Sequence, residues 1–259
     1  MLESEVTFII TSGSDDDVLA KIKSLKSIGE YLFSPIQQQN IEDIYLDTEE
    51  SSLNAHHFAL RIRILNDQTF ITLKGLDQPN QWGGINRMEI EEPWSQASLE
   101  NIHSKLKDEG VMIPYEKHFF VQDNPIATIT NMQLLVIQKR DTHRTKKDIA
   151  IDTIDDSPGK FAELAIDSCK YYVRNNTIKH LEIELEMTSN LYQAHQGSLV
   201  NNFMNRYKSI MQIWPHNKLS TGKAINHLYS TGELSSLIRD NKKLDPKAYT
   251  LIDQYLSIT

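Results

Sequence analysis

The sequence predicts an α+β protein whose short alternating strands form a barrel or a sandwich, with helices beside them and a helical C-terminal stretch. Three observations predict it. In the first strand, Glu3-Ser-Glu-Val-Thr-Phe-Ile-Ile10, successive side chains point to opposite faces, so Glu3, Glu5 and Thr7 share one face while Val6, Phe8 and Ile10 share the other. A second strand of the same design, Leu181-Glu-Ile-Glu-Leu-Glu186, stands far along the chain. Several strands between them have a basic polar face. One E-x-E strand alone reads as a solvated edge. Two of them with basic strands between set carboxylates and cations on a repeated polar face, which is costly unless the charges pair, stay wet or hold a ligand.

With 259 residues the chain has room for one large β-rich domain or two ordinary ones, and 39 % hydrophobic with 24 % charged residues fits a soluble globular protein. A net charge of −8 argues against general nucleic-acid binding but leaves room for a local basic pocket. The single cysteine, Cys169, allows no intrachain disulfide and fits a reducing, cytoplasmic setting. There is no C-x-x-C or H-E-x-x-H metal motif, no signal-peptide pattern and no apolar run near the roughly 18 residues that span a membrane, so no membrane partner is expected.

Taken in order, residues 2–10 read as a strand. Asp15 to Asp17 suit the first turn of a helix with the stripe Val18, Ile22, Leu25 and Ile28, stopped by Gly29. Gln37 to Thr48 reads as extended and Glu49 to Ala55 as a short helical connection. The adjacent His56 and His57 face opposite ways on a strand and read as structural or exposed. Ala59–Leu65 and Gln68–Gly75 form a hairpin about Asn66-Asp67, which pairs Leu65 with Gln68 and Arg61 with Thr72. That register gathers Arg61, Arg63, Thr72 and Lys74 on one face with no carboxylate from the hairpin itself, a face that is either wet or answered by an anion or by acids from elsewhere. After a loop over 76–84, Ile85–Glu92 alternates, with Arg87, Glu89 and Glu91 on one face, and Pro93 ends it.

Ser95 to Glu109 predicts an amphipathic helix on Leu99, Ile102 and Leu106, stopped by Gly110. Val111 to Val121 is ambiguous. Leu134–Arg140 and Asp148–Asp152 read as two strands joined by the basic stretch Arg140, Arg144, Lys146 and Lys147; an acidic turn follows at 155–159. Phe161–Asp167 and His180–Met187 are the last strands, with a turn near Asn175-Asn176. One long helix is expected over Leu191 to Met211, with an interruption near Gly197. A loop over Trp214–Gly222 precedes a helix over Lys223–Ser230, another opens at Thr231-Gly-Glu, and Asp245-Pro246 starts the last.

The shared polar face asks for a ligand that is both anionic and metal-bound. Glu3, Glu5, Glu182 and Glu184, with Glu89 as a further acid, suit a hard divalent cation such as Mg²⁺ or Mn²⁺. Arg61, Arg63, Lys74, Arg87 and Arg140 suit phosphate oxygens. A solvated, salt-bridged open sheet is the plain alternative.

The order Glu3-x-Glu5, Tyr45-Leu-Asp-Thr48, Leu60-Arg-Ile-Arg63, Thr72-Leu-Lys-Gly75, Arg87-x-Glu89, Gln138-Lys-Arg140, Glu182-Ile-Glu-Leu-Glu186 and Asn217-Lys-Leu-Ser-Thr-Gly222 resembles the CYTH superfamily, the triphosphate tunnel metalloenzymes. The resemblance covers roughly residues 1–225, leaving 226–259 as a C-terminal helical extension packed on the same domain. It implies an eight-stranded antiparallel tunnel and metal-dependent hydrolysis of a small-molecule triphosphate: inorganic triphosphate, thiamine triphosphate or a nucleoside triphosphate. It implies that Lys218 joins the triphosphate-binding bases, that Asp167 joins the metal-binding acids with Asp152 competing for that place, and that catalysis lies at Glu5, Glu184 and Thr7. The chain departs from the family pattern E-x-E-x-K at Thr7, where the family has a lysine. Two alternatives follow from the same resemblance, a class IV-type adenylate cyclase and a triphosphate- or nucleotide-binding module without turnover. A monomer or homodimer is expected.

Overall fold

The computed structural model describes residues 2–12, 14–151, 160–188 and 193–258. The chain begins with β1 (Leu2–Ile10), α1 (Asp15–Lys23), β2 (Ser27–Ile28), β3 (Tyr31–Phe33), β4 (Gln37–Asp47) and α2 (Ser52–Ala55). Then come β5 (Ala59–Leu65), β6 (Gln68–Lys74), β7 (Gln78–Pro79), β8 (Ile85–Pro93), α3 (Gln96–Asp108) and α4 (Pro125–Asn131). The last elements are β9 (Leu135–Ile151), β10 (Lys160–Val173), β11 (Asn176–Met187), α5 (Gln193–Tyr207), β12 (Met211–Ile213), α6 (Lys218–Ser230) and α7 (Pro246–Leu256). The hydrogen-bonded strand order is β10-β11-β1-β8-β6-β5-β4-β9, and β10 also pairs with β9. The ladder therefore closes on eight strands, an antiparallel barrel with helices, and the sandwich alternative falls. The chain divides into two compact units, each described by itself.

The first unit is built from Asn40–Asp77 and Arg87–Asp141, with Leu2. The β5–β6 hairpin has the expected register, Leu65 opposite Gln68 and Arg61 opposite Thr72. Its two turn residues, Asn66 and Asp67, both have positive φ (47° and 69°), as the tight turn between twisted strands requires. The alternate faces of β4, β5 and β6 bury Ile44, Leu46, Leu60, Ile62, Ile71 and Leu73 against Leu99, Ile102 and Leu106 of α3 and Ile129 of α4. The Ser95 hydroxyl caps α3 by accepting from the Ser98 amide. α4, for which no helix was expected, has a local signal in the sequence: Asn124 caps it by accepting from the Ala127 amide, and Pro125 occupies the first turn.

The second unit comprises Glu3–Gln39, Gln78–Asn86 and Thr142–Thr259. Val6, Phe8 and Ile10 of β1 pack with Val18 and Ile22 of α1 and with Leu199, Val200 and Phe203 of α5. α1 stops at Lys23, earlier than expected, because Gly29 is used in a β2–β3 hairpin turn at positive φ (56°). The Lys147 ammonium caps the end of that helix by donating to the carbonyls of Lys23 and Leu25. The two strands expected around Arg140 are one strand, β9, and the basic stretch runs through it. β10 and β11 are likewise longer than expected, joined by a tight turn after Val173. Glycine is required at position 84, where a Cβ would collide with the Glu5 carbonyl oxygen. Gly197 does not interrupt α5; its missing side chain admits the Trp82 indole against the helix. The loop expected over Trp214–Gly222 is shorter, because α6 begins at Lys218 under an Asn217 cap that accepts from the Ser220 amide. The helix expected at Thr231 is a single 3-10 turn over Ser235–Leu237. Asp152, the turn over 155–159 and the expected helix start at Leu191 lie outside the described residues.

Candidate functional site

In the second unit three strands align their polar faces in rows. Glu5 of β1 stands opposite Glu186 of β11, which stands opposite Glu163 of β10. In the next row Thr7 faces Glu184, which faces Ala165; beyond it Glu182 faces Asp167. Odd positions on β1 and β10 and even positions on β11 thus share one face. Glu3, Glu5, Thr7, Asp167, Glu182 and Glu184 are all buried. One oxygen from each of Asp167, Glu182 and Glu184 lies within 4.8 Å of the others.

Two cations meet this trio. The Lys218 ammonium lies 3.1 Å from Asp167 Oδ2 and in direct contact with Glu182 Oε1 and Glu184 Oε1. Arg144 forks onto Asp167, Nε to Oδ1 at 2.8 Å and a terminal nitrogen to Oδ2 at 2.6 Å, and that same terminal nitrogen donates to Glu184 Oε2 at 2.8 Å. Lys146 donates to Glu163 at 2.8 Å. Lysine in the first turn of a helix stands at the wrong end of the dipole, so the carboxylates, not the helix, account for Lys218. Its backbone is fixed as well: β12 pairs with β1, the Trp214 amide donates to the Thr7 carbonyl at 2.8 Å, and the Tyr171 hydroxyl donates to the Lys218 carbonyl at 3.0 Å.

Burial alone would raise the acids and lower the base, and the charges reverse both effects. Lys218, with His180 beside it, brings the Glu182 carboxyl down to about 2. Arg144 and Lys218 hold Asp167 below the ordinary carboxylate range. The same carboxylates hold the Lys218 ammonium well above the usual lysine value.

The first unit has its own cluster. Asp43 of β4 is fully buried and accepts from Arg63 Nε at 2.9 Å, pairs with Arg61 at 3.5 Å and contacts Arg140 directly. The Tyr45 hydroxyl accepts from Arg61 at 3.3 Å and from Arg140 at 3.2 Å. Glu91 pairs with Arg61 and Arg63, each at 3.4 Å, and accepts from the Thr72 hydroxyl at 2.9 Å. Glu89, expected as a metal ligand, lies 3.2 Å from Lys74 and 3.5 Å from Arg61. Arg87 pairs with Asp77 at 3.2 Å. Burial would raise Asp43 and Tyr45, but the surrounding guanidinium groups outweigh it and lower both, Asp43 strongly. The acids that the hairpin itself lacks thus come from the neighbouring strands β4 and β8.

Of the expected metal ligands the structure brings Asp167, Glu182 and Glu184 together as a trio. Glu3 and Glu5 lie on the same buried strand face but outside the trio. Arg144, Glu163, Asp43 and Tyr45 were missed. Strand parity was the available signal: Asp43 and Tyr45 alternate on β4, and Arg140 and Arg144 fall on one face once β9 is read as continuous.

The trio fits a divalent metal on the chemistry of its donors. Three carboxylates are hard oxygen ligands of the kind Mg²⁺ and Mn²⁺ take, and they already converge on one cationic centre, the Lys218 ammonium.

Fold and site define a class: an antiparallel β-barrel protein with a buried carboxylate trio paired with Lys218 and Arg144. The model of the CYTH domain matches residues 1–191, and the chain belongs to the CYTH family. Among solved structures, a Hippeastrum protein provisionally assigned as an adenylyl cyclase, and described as having a dominant triphosphatase activity, is 17 % identical with a TM-score of 0.55, over 86 % of this chain and 95 % of that one. A protein from Bacillus halodurans provisionally assigned as an adenylate cyclase is 20 % identical with a TM-score of 0.44, over 84 % and 96 %. At 17 % identity the likeness to the Hippeastrum structure speaks to the fold alone. No curated protein matches the sequence. No helix among the described residues is long and apolar enough to cross a membrane.

Proposed function

We propose that the chain is a divalent-metal-dependent triphosphatase acting on a small-molecule triphosphate. The observation that carries this reading is the convergence of Asp167, Glu182 and Glu184 on the Lys218 ammonium, within a family of triphosphate-binding proteins. Asp167, Glu182 and Glu184 would hold Mg²⁺ or Mn²⁺, with Glu3 and Glu5 on the adjoining strand as further acids. When bound, the metal neutralises phosphate charge and lowers the pKa of a water. Lys218, displaced from the carboxylates, is a mobile ammonium for a phosphate oxygen. Arg144 keeps Asp167 ionised and orients both Asp167 and Glu184. Water attacks the terminal phosphorus, the anhydride P–O bond breaks, and a carboxylate at Glu5 or Glu184 takes the proton of the water, while the Thr7 hydroxyl donates or accepts beside it. By itself the first unit offers a polyanion-binding face, with Arg61, Arg63, Lys74, Arg87 and Arg140 assigned to phosphate oxygens.

Replacing Glu182 tests the reading. Glu182→Gln keeps the shape and removes a metal-binding charge, and Mg²⁺-dependent release of orthophosphate from inorganic triphosphate is expected to fall at least about 100-fold. Full turnover in a folded variant contradicts it.

A further inference from the structure

The polar face of β10 and β11 does not end at the carboxylates. Beyond Asp167 the same face of β10 carries Cys169, Tyr171 and Val173, and beyond Glu182 the same face of β11 carries His180 and Ile178. These side chains are covered by Ala224, Ile225 and Leu228 of α6 and by Ala248, Tyr249 and Ile252 of α7. The C-terminal helices therefore lie on the face that bears the carboxylates. α7 lies past the last residue matched by the family model.

One polar thread crosses this apolar contact. His180 is buried to 1 % exposure. Its Nε2 lies 2.8 Å from Glu182 Oε2, and its Nδ1 lies 2.9 Å from the Tyr249 hydroxyl of α7. The Glu182 carboxylate only accepts, so Nε2 carries the proton toward it; Nδ1 shares the second hydrogen bond with the Tyr249 hydroxyl, which also donates to the Leu181 carbonyl at 3.5 Å. The contact uses one Glu182 oxygen, Oε2, and leaves Oε1 on the side of Lys218. The ring also packs at a tilt of 59° against Tyr249, with centroids 5.4 Å apart, and lies 6.2 Å from Tyr171, which limits its rotation.

We infer that Tyr249 and His180 are positioning residues for the metal site, through which the C-terminal helix α7 fixes the rotamer of Glu182. The inference rests on the proposed metal-binding role of Glu182. Outer partners that orient a ligand typically set metal affinity by 10–100-fold. A helix that the barrel does not need for closure thereby becomes part of its chemistry. The relay orients one ligand and touches neither triphosphate nor water, so it governs metal affinity and leaves the KM for triphosphate unchanged at saturating metal.

The test is Mn²⁺ binding, followed by electron paramagnetic resonance on the full chain, for wild type, Glu182→Gln, His180→Phe, His180→Gln and Tyr249→Phe, with thermal melting without metal as the folding control. Glu182→Gln is expected to abolish tight binding. His180→Phe is expected to weaken it by about 10-fold or more, Tyr249→Phe by a smaller factor, and His180→Gln, which still donates to Glu182, to restore most of it. Tyr249→Phe loses a single oxygen and decides the matter if His180→Phe does not fold. If Glu182→Gln binds Mn²⁺ like wild type, the metal-site reading fails. If Glu182→Gln loses binding while His180→Phe and Tyr249→Phe keep wild-type affinity, the relay alone is overturned.

Discussion

Thr7 and Glu184 stand directly opposite each other on the β1–β11 ladder. The hydroxyl therefore occupies the place on the carboxylate face where the family pattern E-x-E-x-K sets an ammonium. Around it, Lys218 and Arg144 already pair with Glu184 from α6 and β9. Thr7→Lys adds a cation opposite Glu184 and, on the proposed triphosphatase reading, is expected to raise kcat for triphosphate hydrolysis about 10-fold or more. Steady-state kinetics at saturating Mg²⁺ checks this; an unchanged or lower kcat shows that Arg144 and Lys218 already do that work.

Lys218 holds three buried carboxylates together, and breaking such a group by removing one partner costs about 3–5 kcal/mol. Lys218→Met is expected to lose stability on that scale without metal and to regain much of it in Mg²⁺. Urea unfolding with and without Mg²⁺ reads both effects. A loss that Mg²⁺ does not relieve argues against a cation site at the trio.

Asp43 plays the mirror role in the first unit, one buried carboxylate among Arg61, Arg63 and Arg140. Asp43→Asn leaves those guanidinium groups short of a counter-charge, with a cost again of about 3–5 kcal/mol. Inorganic triphosphate is expected to raise the melting temperature of this variant more than that of wild type. Equal shifts would deny the first unit its phosphate-binding role.

Acid should unfold the protein through the same carboxylates. Glu182 sits at about 2 against 4.5 for an ordinary glutamate, and Asp167 and Asp43 are also lowered. Groups depressed in the folded state stabilise it fully above their unfolded pKa, and that stability is lost as pH falls through the folded value. Stability is therefore expected to hold near pH 5–7 and to drop between about pH 4.5 and 2. Glu182→Gln should flatten the drop. A variant with the wild-type acid slope would contradict the assignment.

Much of this was legible in the sequence because alternation fixes faces. The parities of Glu3, Glu5 and Thr7, of Arg61 and Arg63, and of Glu182 and Glu184 needed only a period of two. The hairpin register followed from a two-residue turn. What was hidden is pairing between distant strands: nothing local says that Asp43 meets Arg140, 97 positions away, or that Arg144 meets Asp167. Reading β9 as two strands lost the parity linking Arg140 to Arg144. Placing Lys218 in a loop missed the α6 start under the Asn217 cap, although Asn is a strong cap residue. The thread from Tyr249 to Glu182 spans 67 positions and has no local signature at all.

The most direct test of the account is product analysis. Purified protein is incubated with inorganic triphosphate and with ATP, each with Mg²⁺ and then Mn²⁺, and the products are resolved by chromatography. The account predicts orthophosphate with pyrophosphate from inorganic triphosphate, dependent on the metal. Cyclic AMP with pyrophosphate from ATP, or no turnover with thermal stabilisation by triphosphate, would contradict it, the first in favour of a cyclase and the second in favour of a binding module.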